Sequence, residues 1–154
     1  MQIQGKNIII TGGSLGIGKE TAKALVEKGA NVLITGRSEE RLLKAKLYCN
    51  AETIEFDIAD FDNIPKYAKE CLSILENRVD VLINNAGIGV RSSIEELNID
   101  DFQKVFNVNV FGLSLFTKEI VPLMKENKSG TIINIGSTAS LKGYQTGSIY
   151  SASK

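Results

Sequence analysis

Short runs of β-branched residues alternate with segments of helical length along this chain. Five runs are predicted as strands, at residues 6–11, 31–36, 52–57, 78–84 and 130–137. Helices are predicted between them, at residues 17–29, 39–50, 61–77 and 100–127. This alternation is typical of a parallel sheet flanked by helices. Right-handed crossovers would give an α/β, Rossmann-type doubly wound sheet of strand order 3-2-1-4-5, with a ligand crevice where the order reverses.

Length and linker composition both predict one domain. The chain has 154 residues and a hydrophobic content of 43%, enough for one buried core and too little for two ordinary ones. No repeat, low-complexity tract or Pro/Gly/Ser linker interrupts the pattern. We therefore predict a single domain over residues 1–154.

Charge and residue usage exclude several classes of function. Lys+Arg and Asp+Glu both number 18, so no basic surface favours nucleic acid or an anionic membrane as partner. Histidine is absent, which excludes Ser-His triads and histidine-ligated metals. Cys49 and Cys71 lack metal-site spacing, and the amino terminus has no signal-like apolar segment. We predict a cytoplasmic protein that binds no metal and no membrane.

A glycine-rich stretch, "TGGSLGIG", follows the first predicted strand and opens the first predicted helix. Gly12, Gly16 and Gly18 permit a tight turn and let the backbone approach a phosphate, while the helix directs free N–H groups at the anion. Ser14 could add a hydroxyl. The stretch lacks the Gly-Lys-Ser/Thr ending of a triphosphate loop. An ordinary glycine turn is the alternative, but the position between strand and helix favours a dinucleotide.

The second predicted strand ends with "TGRS", which bears on the choice of cofactor. Dinucleotide sites often place an acidic residue there to accept the ribose hydroxyls, but this chain has Gly36 and Arg37. A guanidinium suits a 2′-phosphate, so NADP is the predicted cofactor and NAD the second choice. The alternative is that Arg37 is a solvated loop cation.

Further polar motifs fall at predicted strand and helix ends. They are Asp57–Ile58, "NNAG" at 84–87, Asn109, Ser137 after the fifth strand, and "YSASK" at 150–154. Each alone has a structural explanation, because asparagine and glycine end strands in turns and Tyr150 with Lys154 could be a plain i,i+4 surface pair. Their order and spacing together resemble the short-chain dehydrogenase/reductase family, in the branch marked by TGxxxGxG, NNAG and YxxxK.

The resemblance covers the whole chain and implies an NAD(P)-binding oxidoreductase that acts on a carbonyl or secondary alcohol. It implies that the glycine loop binds pyrophosphate, that Asp57 and Ile58 contact adenine, and that Asn109, Ser137, Tyr150 and Lys154 form a catalytic tetrad. The complete set of cofactor-binding residues that we expect is Gly12, Ser14, Leu15, Gly16, Ile17, Gly18, Arg37, Asp57, Ile58, Asn85, Ala86, Gly87, Tyr150 and Lys154.

The chemistry of these residue types agrees with that reading. A proton must reach or leave the substrate oxygen when hydride moves, and Tyr150 can carry it if a cation one helical turn away stabilises its phenolate. Lys154 is that cation. Ser137 would hydrogen-bond the substrate oxygen, and Asn109 could anchor a water that connects Lys154 to solvent.

Family members continue beyond this lysine, so the chain resembles a fragment that lacks the C-terminal strands. The alternative function is therefore a truncated nucleotide-binding or interaction module without turnover. We expect the segment after about residue 138 to be poorly ordered and the 154-residue chain not to catalyse. For the complete protein we expect a homo-oligomer, a dimer or tetramer, because the long helix at 100–127 is apolar on more than one face.

Overall fold

A computed structural model describes residues 2–154 and shows a five-stranded, wholly parallel sheet. The strand order is β3-β2-β1-β4-β5, which confirms the predicted Rossmann-type topology. The registers pair Ile9 with Leu33 on one side and with Leu82 on the other. The strands are β1 (Asn7–Ile10), β2 (Asn31–Gly36), β3 (Glu52–Glu55), β4 (Val81–Asn84) and β5 (Thr131–Asn134).

Five of the six described helices fall within or beside the four predicted ranges, and the sixth, at the end of the chain, lies outside them. The six helices are α1 (Gly16–Val26), α2 (Glu39–Cys49), α3 (Ile64–Ile74), α4 (Ile99–Phe106), α5 (Leu113–Glu126) and α6 (Ser148–Ser153). The predicted helix at 100–127 is helical throughout, but a π-helical turn, Asn107–Gly112, separates α4 from α5. Periodicity cannot reveal such a turn, because one widened turn shifts the apolar pattern by a single residue.

Polar caps set two of the helix starts. The Asn98 side chain accepts a hydrogen bond from the Asp101 N–H at 2.9 Å and so caps α4. The Ser38 hydroxyl caps α2 in the same way by accepting from the Arg41 N–H. Helix α1 has no side-chain cap and no acidic residue in its first turn.

Alternate residues of the central strand face two separate cores. Ile8 and Ile10 pack with α1 and α2, while Ile9 packs with α3 and α5 on the opposite face. Both cysteines are buried, one in each core. Burial, with a smaller contribution from the charge of Glu70, raises the pKa of Cys71 to about 12, so this thiol stays neutral at physiological pH.

A network of charged side chains joins the amino ends of β1 and β4, at the edge of the sheet opposite the predicted crevice. The Asp80 carboxylate accepts hydrogen bonds from Lys6 Nζ and from the Asn7 N–H, both at 2.9 Å, and lies 3.4 Å from the Arg78 guanidinium. Burial raises the pKa of Asp80, but these hydrogen bonds and positive charges together outweigh it, so the pKa lies below its usual value of 3.8. The Asn7 amide in turn donates to the carbonyls of Leu75 and Arg78.

The segment after residue 138 departs from the expectation of poor order. It contains a short 3-10 turn, Thr138–Ser140, and then α6, whose Ile149 is only 1% exposed. Helix α6 is too short to be stable by itself, so tertiary contacts with α4 and with the Ile135 carbonyl, directly after β5, hold it. Strand β5 is one of the two edges of the sheet, and its Ile132 and Ile133 are 40% and 41% exposed.

Candidate functional site

A cleft of about 410 Å³ lies at the carboxyl ends of the strands, where the strand order reverses beside β1. Most residues expected to contact a dinucleotide line it: Gly12, Ser14, Leu15, Gly16, Ile17, Arg37, Asp57, Ile58, Asn85, Ala86 and Gly87. Gly18 lies behind the loop, and Tyr150 and Lys154 lie beyond the lining. Further lining residues, which sequence reasoning did not single out as contacts, are Thr35, Gly36, Ser38, Arg41, Phe56, Ile88 and Val108.

Two glycines of the loop need the backbone freedom of glycine for different reasons. Gly12 has a φ of +66°, and a Cβ there would lie 2.7 Å from the Ala86 Cα, so the loop could not approach β4 with a side chain. Gly16 has a φ of +52°, and a Cβ there would point into open space. Gly16 therefore leaves the surface of the loop bare at the start of α1, where a ligand's phosphate could approach.

Gly13 and Gly18 let the loop pack closely against the sheet. A Cβ at Gly18 would lie 2.5 Å from the Asn85 amide nitrogen, and a Cβ at Gly13 would lie 2.5 Å from the Ile34 side chain. Gly13 was missed by the spacing argument, which considered only the three motif glycines. Its position, directly after the strand and facing β2, is a requirement that only the assembled sheet makes visible.

Thr11 and Asn85 fasten the glycine loop to the segment after β4. The buried Thr11 hydroxyl accepts hydrogen bonds from the Asn85 and Ala86 N–H groups, both at 3.1 Å. The Asn85 amide returns bonds to the carbonyls of Thr11 and Gly12, at 2.9 and 3.0 Å. These four bonds hold two walls of the cleft at a constant separation. Thr11 has no role in the sequence-based prediction, although the quoted motif contains it.

The amino end of α1 is suited to an anion. Its N-cap position, Leu15, offers no side-chain acceptor, and its first turn carries no acid, whereas α2 and α4 have both. The first N–H groups of a helix have no partner within the helix, and they carry the positive end of its dipole. A phosphate at this end of the cleft would supply the missing acceptors.

Two arginines line the cleft at the end of β2. Arg37 follows the strand directly, and Arg41 lies in the first turn of α2. Both are exposed, and no ion pair within residues 2–154 engages either guanidinium. The nearby acid Glu40 pairs with Lys44 at 2.6 Å instead. The site therefore presents two uncommitted cations, Arg41 in addition to the Arg37 predicted from the sequence.

Loop 56–58, after β3, forms the opposite wall of the cleft. The Asp57 carboxylate accepts from the Ala59 N–H at 2.9 Å, which holds the loop in a tight turn. Ile58 is buried, and the π-helical turn packs against its carbonyl, because a Cβ at Gly112 would overlap the Ile58 oxygen. Gly112 thus lets the helix that carries Asn109 approach the cleft.

Asn109 is buried in the π-helical turn and joins three elements. Its Oδ1 accepts from the Ile88 N–H at 2.8 Å, and its Nδ2 donates to the Ile88 carbonyl at 2.9 Å. The second Nδ2 proton goes to Ser153 Oγ at 2.8 Å. Both amide protons are thereby used within the protein. A water anchored by this side chain, as the sequence analysis suggested, has only the remaining Oδ1 lone pair available.

The structure brings Lys154 and Asn109 together at Gly87. A Cβ on Gly87 would lie 3.3 Å from Lys154 Nζ and 3.4 Å from Asn109 Oδ1. Lys154 Nζ donates to the Ile135 carbonyl at 2.7 Å, and no hydrogen bond within residues 2–154 joins it to Tyr150. Partial burial lowers the pKa of Lys154 from its ordinary value of 10.5.

Tyr150 and Ser137 lie against different segments, Tyr150 over the segment after β4 and Ser137 at the turn after β5. The Tyr150 ring packs over Gly89, where a Cβ would lie 3.3 Å from the ring. Ser137 lies three residues after the end of β5, and its hydroxyl accepts from the Ala139 N–H at 3.1 Å, which caps the following turn. No hydrogen bond joins the two hydroxyls in the part of the chain that the structure describes.

Within residues 2–154, no helix is long and apolar enough to cross a membrane. In the same residues, no group of three or more His, Cys, Asp and Glu side chains is arranged to hold a metal ion.

The topology and the glycine-lined cleft define the class of dinucleotide-binding Rossmann-type proteins. A sequence profile described as "short chain dehydrogenase" matches residues 6–154. The chain belongs to this family of short-chain dehydrogenases and reductases.

Similar proteins carry the names of oxidoreductases. An uncharacterized oxidoreductase of Thermotoga maritima is 40% identical over 100% of this chain and 62% of its own length. The ketoacyl reductase HetN of Nostoc sp. is 34% identical over 99% of this chain and 54% of its own length. A solved structure titled "short chain dehydrogenase/reductase family protein" has 33% identity and a TM-score of 0.92, over 100% of this chain and 64% of that one. The chain thus spans less than two thirds of each of these proteins.

Proposed function

We propose that these residues form the cofactor-binding and proton-transfer part of an oxidoreductase that moves hydride between NADP(H) and a carbonyl or secondary alcohol. One observation carries this proposal. The segment after β4, residues 85–89, borders the glycine loop through Ala86, the Lys154 ammonium through Gly87 and the Tyr150 ring through Gly89. A dinucleotide cleft and a tyrosine-lysine helix therefore meet at one short stretch of backbone.

The fit of the cleft to a dinucleotide supports the proposed binding roles. The bare loop at Gly16 and the uncapped α1 would hold the pyrophosphate, and Asp57 and Ile58 would border the adenine. When bound, the nicotinamide supplies the hydride chemistry. Gly87 would leave room for it beside Lys154, because a side chain at this position would occupy the space next to the ammonium.

Proton transfer is assigned to the C-terminal segment. Tyr150 would donate a proton to, or accept one from, the substrate oxygen, and Ser137 would hydrogen-bond the same oxygen. Lys154 has two ammonium protons beyond the one given to Ile135, and its positive charge would favour the tyrosine phenolate. Asn109 would hold the segment after β4 in place through Ile88.

The decisive test measures NADPH oxidation against a panel of ketones in the complete gene product that contains these residues. Tyr150→Phe should abolish turnover and leave the NADPH dissociation constant nearly unchanged, because it removes the proton donor without altering the cleft. Tyr48→Phe is the control, since it removes a hydroxyl whose one hydrogen bond to the described residues goes to Glu20, on the exposed face of α1 and α2. Turnover by Tyr150→Phe at more than a small fraction of the wild-type rate would remove this residue from the acid-base role.

A preference for NADP(H) follows from the two uncommitted arginines and from the absence of an acid at Gly36. Charged hydrogen bonds to a 2′-phosphate are worth about 1.5 to 3 kcal/mol, or roughly tenfold to a hundredfold in affinity. Arg37→Ala should lower the ratio of NADPH to NADH affinity by about that factor. Arg91→Ala removes the same charge outside the cleft lining and should leave the ratio unchanged. An unchanged ratio in Arg37→Ala would contradict this assignment.

A nucleotide-binding module without turnover is the second candidate. It is favoured by the absence, within residues 2–154, of a hydrogen bond between Lys154 and Tyr150, since the ammonium donates to the Ile135 carbonyl. NADPH binding, followed by fluorescence, without oxidation of NADPH on any ketone would select this function for the chain tested.

We also propose a cytoplasmic homo-oligomer, a dimer or tetramer, for the complete protein. The apolar residues that suggest an interface on the long helix are Phe106, Val110, Leu113, Phe116 and Leu123. Phe116 is fully buried against the sheet and the other four are half-buried, whereas Phe111 beside them is 50% exposed. The free face of this helix therefore includes Phe111. A monodisperse monomer at high concentration in light scattering would refute the proposal.

A further inference from the structure

Ser153 lies between the residues of the proposed proton-transfer group, although no motif position was assigned to it. Its hydroxyl donates to the Tyr150 carbonyl at 2.8 Å and accepts from Asn109 Nδ2 at 2.8 Å. A serine hydroxyl has one proton, and the Tyr150 carbonyl takes it, so the oxygen faces Asn109 as an acceptor. The direction of both bonds is therefore determined.

The orientation of the Asn109 amide is determined as well. The Ile88 N–H requires an acceptor, which places Oδ1 on that side and both Nδ2 protons toward the Ile88 carbonyl and Ser153. Asn109 is 6% exposed, so an amide proton that lost its acceptor would be a buried donor without a hydrogen bond. Among the described residues, the Ser153 oxygen is the acceptor that α6 offers to Asn109.

Helix α6 depends on such contacts for its position. It spans only Ser148–Ser153, which is too short for independent stability. The burial of Ile149, the Lys154 bond to Ile135 and the Ser153 bond to Asn109 are the contacts that hold it. The first two connect α6 to the core and to the residue directly after β5, whereas the third connects it to the segment after β4 that borders the cleft.

We propose that Ser153 is a positioning residue, which fastens the helix carrying Tyr150 and Lys154 to Asn109 and through it to the backbone of Ile88. The inference rests on the proposed function. It assigns to Ser153 the alignment of the acid-base group with the cleft, and it assigns no contact with substrate or cofactor. Losing this bond should therefore slow proton transfer and leave nucleotide binding unchanged.

The kinetic test compares Ser153→Ala with Ser151→Ala in the complete gene product. Ser151 lies two residues earlier in α6, and its buried hydroxyl has no hydrogen-bond partner within residues 2–154. Ser151→Ala therefore removes the same oxygen atom without breaking a hydrogen bond. Because misplacing reacting groups by about 1 Å can cost on the order of a hundredfold in rate, we expect a partial shift in Ser153→Ala to lower kcat about tenfold. The KM for NADPH should stay within about twofold of wild type, and Ser151→Ala should match wild type in both.

Two further variants separate positioning from folding. Ser153→Thr keeps a hydroxyl that can bond the carbonyl three residues earlier in a helix, and it should restore most of the rate. Ser153→Cys keeps the size with weaker bonding and should give an intermediate kcat. If Ser153→Ala does not fold, the kcat of Ser153→Cys tests whether Ser153 positions α6.

A structural readout is independent of activity. In ¹⁵N NMR, Ser153→Ala should shift the Asn109 side-chain amide resonances and speed their hydrogen exchange, and Ser151→Ala should do neither. A wild-type kcat in Ser153→Ala, or equal losses in the two alanine variants, would overturn the inference. If the wild-type protein binds NADPH but turns over no ketone, the proposed function fails. In that case a shift of the Asn109 amide resonances in Ser153→Ala still shows that Ser153 fastens α6, and unchanged resonances show that it does not.

Discussion

Replacing Thr11 by valine should destabilise the protein by removing one oxygen atom. The threonine is 1% exposed, and its hydroxyl accepts the N–H groups of Asn85 and Ala86. Valine has nearly the same shape, so no cavity forms and the apolar contacts of the side chain persist. The two N–H groups lose their acceptor, and the segment after β4 loses half of its connection to the glycine loop.

The magnitude follows from those two donors. A buried donor left without a partner costs about 1 to 3 kcal/mol, so two give about 2 to 6 kcal/mol. Asn85 and Ala86 are only half-buried, and water can reach part of their backbone. We therefore expect a loss of about 2 to 3 kcal/mol in the free energy of unfolding, at the lower end of that range.

Urea unfolding followed by circular dichroism measures this loss. Thr35→Val is the matched control, because Thr35 is 2% exposed on the neighbouring strand and its hydroxyl makes no hydrogen bond within residues 2–154. It should change the unfolding free energy by less than about 1 kcal/mol. If Thr11→Val is no more destabilising than Thr35→Val, the two hydrogen bonds do not stabilise the fold and the reasoning is refuted.

Two other predictions concern opposite ends of the sheet. Gly18→Ala should weaken NADPH binding at least about tenfold by fluorescence titration, because the new Cβ would lie 2.5 Å from the Asn85 amide and displace the loop. Gly136→Ala, where a Cβ meets nothing within 4 Å, should bind normally, and equal affinities would contradict the packing argument. Asp80→Asn should cost roughly 1 to 3 kcal/mol at pH 7, because the bonds to Lys6 and Asn7 lose their charge. Since the folded pKa of Asp80 lies below 3.8, this stability is present above pH 3.8 and is lost as the pH falls through the folded value, so acid unfolding curves of variant and wild type should converge there.

Local patterns were sufficient for the fold and for most of the cleft. The β-branched runs predicted all five strands, and the order 3-2-1-4-5 followed from short right-handed crossovers. The glycines of "TGGSLGIG" could be interpreted because a positive φ and a close backbone approach are demands that a single residue type meets. These features depend on neighbours in sequence or on general rules of chain connection, which a sequence displays directly.

The residues that were missed depend on contacts between distant segments. Thr11 bonds to residues 74 and 75 positions away, and Ser153 is 44 positions from Asn109. The orientation of Arg41 toward the cleft depends on where α2 begins relative to β2. A threonine, a serine or an arginine is common in any of these places, so no local pattern distinguishes a bonded one from a solvated one.

The sequence by itself therefore determined the strand order, the glycine loop and the residue types available for proton transfer. The tertiary structure decided which of those groups meet. It inserts a π-helical turn that presents Asn109 to Ile88 and Ser153, and it bonds Lys154 to the Ile135 carbonyl and not to Tyr150. The physical reason is that a buried polar group takes whichever partner the packed backbone brings within about 3 Å, and that choice is made by the whole fold.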